Sequence, residues 1–206
     1  MSTYNGNLIK GYAFTRAKNG DRLWRKNRQP TSNKSCLGVD PNRNFPTGWS
    51  KPGASSSPCS ETYYGSAALS APESAALYNY VLSLKNAVSY MDFHSYSELW
   101  MFPYGSDCKA VAKDYNLLNK ASIIATSAIS AVNSLNFKFG PICSTIYQAS
   151  GGSIDAIYDI GVKYSFTAEL RDTGRYGFVL PAAQILDSGK EMSAAMFALY
   201  KFIIDN

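Results

Sequence analysis

Three places in the chain have residue types suited to chemistry. His94, in "YMDFHSYSELWMF", is the sole histidine of the 206 residues. An imidazole at the end of an apolar run can move a proton or give a lone pair to a metal; its ordinary role is that of a hydrogen-bonded structural residue. Here no second histidine exists to share a metal with it. Glu169, flanked by Ala168 and Leu170, is a carboxylate in apolar company. Such a group is either paired with a cation, for which Arg171 is at hand, or tuned as a base. Asn42-Arg43-Asn44 follows Asp40-Pro41. That stretch reads as turn chemistry with solvated charge, or as an anion site, since the arginine fork gives a carboxylate two parallel hydrogen bonds.

The elements that must position these groups follow from periodicity. Ser70-Ala71-Pro72-Glu73 has the spacing of a capping box, and Leu77, Val81 and Leu84 continue at helical intervals, so a helix is predicted over about 70–86. "AVSYMDF" and "ELWMF" are β-branched and aromatic enough for strands, which puts His94 at a strand's C-terminal end. Leu117, Leu118, Ala121, Ile124, Ala125, Ala128, Ile129 and Val132 mark one face of a long helix from about 110 to 135. After the glycine-rich "ASGGSIDAIYDIG", the segment "VKYSFTAEL" alternates Val162, Tyr164, Phe166, Ala168 and Leu170 against Lys163, Ser165, Thr167 and Glu169, as a strand does. Ser188 to Glu191 repeats the capping-box spacing and opens a final helix with Met192, Ala195, Leu199 and Phe202 on its apolar side. The alternation of helices and strands predicts an α/β fold, a mostly parallel or mixed central sheet with helices on both faces. In such sheets ligands bind beyond the carboxyl ends of strands, where His94 and Glu169 fall.

Composition narrows the classes. The length suits one domain with a real core, and no apolar run approaches the ~18 residues of a membrane span, so a soluble chain without a membrane partner is expected. Net charge is +5, and the dense basic stretch Arg22 to Arg28 stands alone, without a second stripe or nucleic-acid-binding motif; it reads as exposed charge rather than a nucleic-acid partner. Residues 30–66 are rich in Pro, Ser, Asn and Gly and read as a long surface excursion. Four cysteines allow two bridges in any of about 3 pairings, or none. Cys36 and Cys59 flank most of the excursion, and a bridge there would contribute about 3 kcal/mol by restricting the unfolded chain. Asn33-Lys34-Ser35 is a glycosylation sequon, meaningful only in a secreted chain, and no signal-peptide apolar region is visible in "MSTYNGNLIK".

The blocks "DRLWRKNRQP", "GVDPNRNF", "GASSSPCSETYYG", "DFHSYS", "PYG", "TIYQASGGSIDAIYD" and "YSFTAELRDTGRYGFVLP", in that order from Gly11 onward, closely resemble the zinc metallocarboxypeptidases of the carboxypeptidase A/B type. The resemblance implies a secreted hydrolase that releases C-terminal residues from peptides with one zinc ion. His94 matches the family's third zinc ligand, Glu169 its general base, and Arg25 the cation that meets the oxyanion. Asn42 and Arg43 match the pair that holds the substrate's terminal carboxylate, and Tyr147 the mobile tyrosine that closes over it. Zinc in that family polarises the scissile carbonyl and acidifies the attacking water.

Ile154 matches the floor of the pocket for the C-terminal side chain, where basic-specific relatives carry an acid. An apolar floor cannot pair a buried Lys or Arg, so hydrophobic and aromatic residues are the expected specificity. Gly105, Ala149 and Gly152 line the same pocket by analogy, and Asp155 reads as a structural polar residue on the following short helix. The resemblance also pairs Cys36 with Cys59 and Cys108 with Cys143, implying an oxidising compartment. A monomer whose partners are peptide C-termini is expected.

The sequence departs from the family in one respect. The family's other two zinc ligands arrive as His-x-x-Glu, with a further substrate-binding arginine nearby, and no His-x-x-Glu occurs here. Residues 11–206 are therefore expected to be the C-terminal two-thirds of an N-terminally truncated catalytic domain, and residues 1–10 a non-homologous start. Two readings remain: an enzyme of which this chain as written is inactive, or a catalytically dead module that binds peptide C-termini.

Overall fold

The computed structural model describes residues 13–206; the expectation for residues 1–10 lies outside them. The sheet contains β1 (Ser89–Ser95), β2 (Leu99–Phe102), β3 (Lys138–Pro141) and β4 (Tyr164–Leu170). Their order is β1-β4-β2-β3, with β1 parallel to β4, β2 parallel to β3, and β2 antiparallel to β4. The sheet is mixed, as expected.

Alternation along β4 decides what each face does. Tyr164, Phe166 and Ala168 join Trp100 and Phe102 in the main core, under the helices α2 (Tyr115–Asn133) and α5 (Ile185–Ile204). Leu118, Ala121, Ala125 and Ile129 come from α2; Met192, Ala195, Leu199 and Phe202 come from α5. Burial of each large apolar side chain there stabilises the fold by roughly 1.5–3 kcal/mol. The opposite face is covered by α1 (Pro72–Ser83) and α4 (Ser153–Asp159), where Val81, Ile157 and Val162 form a smaller cluster against Tyr78 and Tyr90. Helices thus lie on both faces. A four-residue helix, α3 (Ile142–Thr145), follows β3.

The structure corrects several expectations. Neither capping box forms. Helix α1 starts at Pro72 after Ala71, with no side-chain cap. Ser70 Oγ instead accepts from Asn44 Nδ2, and Glu73 Oε2 accepts from Asn27 Nδ2. Helix α5 starts at Ile185, so Ser188 and Glu191 lie within it, and the buried Glu191 faces Arg171. Val132 is partly exposed at the end of α2, and β3 was not anticipated, its Lys-Phe-Gly-Pro sequence being a poor strand former on its own. Residues 30–66 are not merely a surface excursion, because Val39, Asp40, Arg43, Asn44, Phe45 and Tyr63 are buried. Nor is the basic cluster simply exposed charge. Lys26 is buried, donating to the Pro58 carbonyl, and Arg28 stacks over Phe14 and Trp24. Disulfides join Cys36 to Cys59 and Cys108 to Cys143.

Candidate active site

The parallel register of β1 and β4 sets His94 directly opposite Glu169, and opposed residues point to the same side of a sheet. Both emerge on the face away from the main core, at the carboxyl ends of their strands. Asp92, two residues before His94, shares that face.

The third wall is the tight turn Pro41–Arg43. Asp40 fixes its start by accepting from the Asn42 amide through Oδ1 at 3.1 Å, and its Oδ2 takes Nε and Nη2 of Arg25 at 2.9 and 2.8 Å. Arg43 is buried, with Nε donating to the Gly53 carbonyl and Nη1 to the Asn42 carbonyl. Gly151, at φ +66°, packs so close that a Cβ would lie 2.3 Å from the Arg43 carbonyl oxygen, so only glycine fits. Asn44 serves the scaffold. It donates to the carbonyls of Tyr64 and Ala67 and accepts from the Ala71 amide, anchoring the start of α1.

Arg25, Asn42, Arg43, His94, Tyr147, Ile154 and Glu169 all line one cavity of about 310 Å³. The seven residues to which the resemblance gives a role in metal binding, catalysis or substrate binding are therefore in one place. Ala149, Gly152 and Asp155 also line it; Gly105 does not, and its amide instead donates to Asp155 Oδ1 at 3.0 Å. Asp155 is buried, takes the amides of Gly105 and Ser106, and has its pKa raised by burial against those bonds. Ile154 is buried as well, and Tyr147 stands half-exposed at the rim.

The charges in the cavity are unevenly satisfied. Glu169 Oε2 is buried without a hydrogen-bond partner. Burial lifts this carboxyl above its ordinary range, while the His94 and Arg25 charges pull the other way. Burial opposes the Arg25 cation, but Asp40 outweighs it and keeps the guanidinium charged. His94 Nε2 lies 2.9 Å from Asp92 Oδ2. Burial disfavours the imidazolium, yet the Asp92 bond and charge leave the His94 pKa raised and that of Asp92 lowered. Sequence reasoning missed Asp92 and Ser153 as members of the site. The i, i+2 spacing of Asp92 and His94 on a strand was a usable signal; the contact with Ser153, 61 residues away, was not.

A mixed sheet thus brings a carboxylate, two arginines and an imidazole around one cavity. The zinc carboxypeptidase family profile matches residues 10–195. The chain is 46% identical over 196 residues to carboxypeptidase A1 of Bos taurus, covering 95% of this chain and 46% of that protein. It is 44% identical over 199 residues to Bos taurus carboxypeptidase B, and 46% identical over 198 residues to metallocarboxypeptidase A of Trichophyton rubrum. Bovine thrombin-activatable fibrinolysis inhibitor, solved in complex with tick carboxypeptidase inhibitor, superposes with a TM-score of 0.91 at 38% identity, over 96% of this chain and 67% of that one. Carboxypeptidase A from Helicoverpa armigera superposes with a TM-score of 0.85 at 30% identity, over 93% and 48%. The chain belongs to the zinc carboxypeptidase family, and it spans about half the length of the curated relatives it matches.

The zinc that the family implies requires several donor side chains around one point. His94 fits as one ligand, since an imidazole with one nitrogen engaged by a carboxylate leaves the other as a lone-pair donor. Among the described residues no group of three His, Cys, Asp or Glu could hold a metal ion. The described residues by themselves do not complete a zinc site.

Proposed function

We propose that this chain carries the substrate-binding and base-bearing part of a secreted, monomeric zinc metallocarboxypeptidase that removes hydrophobic or aromatic C-terminal residues from peptides. The observation that carries this reading is the shared cavity, where a carboxylate with an unpartnered buried oxygen faces two arginines and an apolar floor. Asn42 and Arg43 receive the peptide's terminal carboxylate, which restricts cleavage to the last residue. The C-terminal side chain enters toward Ile154, and Tyr147, at the rim, closes over it. Glu169 takes a proton from the attacking water, and Arg25, held by Asp40, meets the negative charge that develops on the scissile carbonyl. Zinc, when bound, supplies Lewis acidity at that carbonyl; His94 is the ligand this chain contributes. The two disulfides fit an oxidising compartment.

The test uses these 206 residues joined to a segment that supplies the remaining zinc ligands, assayed on peptides ending in Phe or Lys. Faster release of Phe is expected; faster release of Lys would refute the pocket assignment. The solitary imidazole also favours a second reading, a module that binds peptide C-termini without cleaving them. Upstream coding sequence without an in-frame His-x-x-Glu would select that reading.

A further inference from the structure

Four side chains from three separate elements close a ring beside the cavity. Ser153, at the start of α4, donates through Oγ to Asp92 Oδ2 at 2.7 Å and through its backbone N–H to Asn42 Oδ1 at 2.9 Å. The same Asp92 oxygen lies 2.9 Å from His94 Nε2, and Asn42 Nδ2 lies 3.2 Å from that nitrogen. We propose that Asp92 and Ser153 are positioning residues, which hold His94 in its Nε2–H tautomer and so leave the lone pair on Nδ1.

Donors and acceptors around the ring decide the tautomer. Asp92 can only accept, so a neutral ring at this separation must place its proton on Nε2; two bare acceptors that close would repel. Asn42 pulls the other way. Its Oδ1 is committed to the Ser153 amide, which turns its NH₂ toward His94, where a donor favours a bare Nε2. The carboxylate contact is both shorter and charge-assisted, so it prevails. Ser153 is buried, and its hydroxyl fixes the oxygen that His94 uses. The ring also joins the turn carrying Asn42, the helix carrying Ile154 and the strand carrying His94, so a shift of any one is felt by the other two. The consequence for metal binding rests on the carboxypeptidase reading, but the tautomer itself does not.

The chain contains a single imidazole, so its long-range ¹H–¹⁵N spectrum reports this residue alone. In the metal-free 206-residue chain, in buffer alkaline enough to keep the ring neutral, Nε2–H is expected to exceed Nδ1–H by about tenfold or more. Asp92→Ala leaves Asn42 as the neighbouring donor and is expected to invert the ratio toward Nδ1–H. Ser153→Ala is expected to lower the Nε2–H share without inverting it. Dominant Nδ1–H or an even mixture in the unsubstituted chain would overturn the proposal, as would an unchanged spectrum in a folded Asp92→Ala chain. Should that variant not fold, the unsubstituted spectrum and Ser153→Ala still decide. Failure of hydrolysis in the zinc-loaded enzyme would count against the proposed function and leave the tautomer result standing.

Discussion

Two glutamates near the end of the sheet have opposite fates. Glu191 is fully buried inside α5, yet both its oxygens are used: Arg171 grips it through Nε and Nη2, and Asn133 Nδ2 donates to Oε1 at 2.7 Å. Arg171 in turn is steadied by Gln184. Glu169 is less buried but keeps an oxygen with no partner, in a cavity whose cations stand off from it. The first carboxylate spends its hydrogen-bonding capacity on the fold, and the second retains capacity for a ligand or a water. The sequence left Glu169 as either the partner of Arg171 or a tuned base. Arg171 is taken by Glu191, which removes the first option.

The sharpest way to break this contrast is at Glu169 itself. In the zinc-loaded enzyme, Glu169→Gln is expected to lower kcat about 10²- to 10⁴-fold, the usual weight of a general base, with stability little changed. Steady-state kinetics and thermal melts check both parts. Next in size, Ile154→Asp is expected to turn the preference for C-terminal Phe over Lys around by on the order of 10²-fold, because a buried counter-charge then exists for the ammonium. Competition assays on paired peptides measure it.

At Glu191 the expectation is the reverse of that at Glu169. Arg171→Met strands a buried carboxylate and is expected to cost about 3–5 kcal/mol of stability, whereas the double substitution with Glu191→Leu recovers most of it. Denaturant unfolding of the single and double variants distinguishes pairing from mere bulk. A smaller effect belongs to the Asp92–His94 pair in the metal-free chain. The His94 pKa is raised, so its contribution is complete below the ordinary imidazole range and lost as pH rises through the folded value. The Asp92 pKa is lowered, so its contribution is present above the ordinary carboxylate range and lost as pH falls through the folded value. Melts of unsubstituted chain and Asp92→Ala are therefore expected to differ most between those limits and to converge outside them.

How much of this was legible in the sequence depended on the range of each signal. Period-2 alternation identified β4 and put Glu169 on the face away from Phe166, and helical spacing found the buried stripes of α2 and α5, because both are local and repeat. The capping boxes failed because tertiary partners claimed their side chains: Asn44 took Ser70, Asn27 took Glu73, and Arg171 took Glu191. The resemblance named Arg25, Asn42, Arg43, His94, Tyr147, Ile154 and Glu169, which share the cavity, yet it was silent on Asp92 and Ser153, whose contact joins a strand to a distant helix. Contacts of that kind leave no periodicity to read.

The central claim is that these 206 residues hold the clamp, the pocket and the base, but one corner of the metal site. It is tested most directly by expressing this chain alone, measuring bound zinc by mass spectrometry and assaying release of C-terminal Phe with and without chelator. Complete structural zinc sites reach about 10–16 kcal/mol, so an even share for one of four ligands is ~2.5–4 kcal/mol, or roughly millimolar affinity and weaker. The expected result is no stoichiometric zinc and no chelator-sensitive release, with both appearing once a segment bearing His-x-x-Glu is joined to the chain. Near-stoichiometric zinc with chelator-sensitive hydrolysis by the 206 residues alone would contradict it.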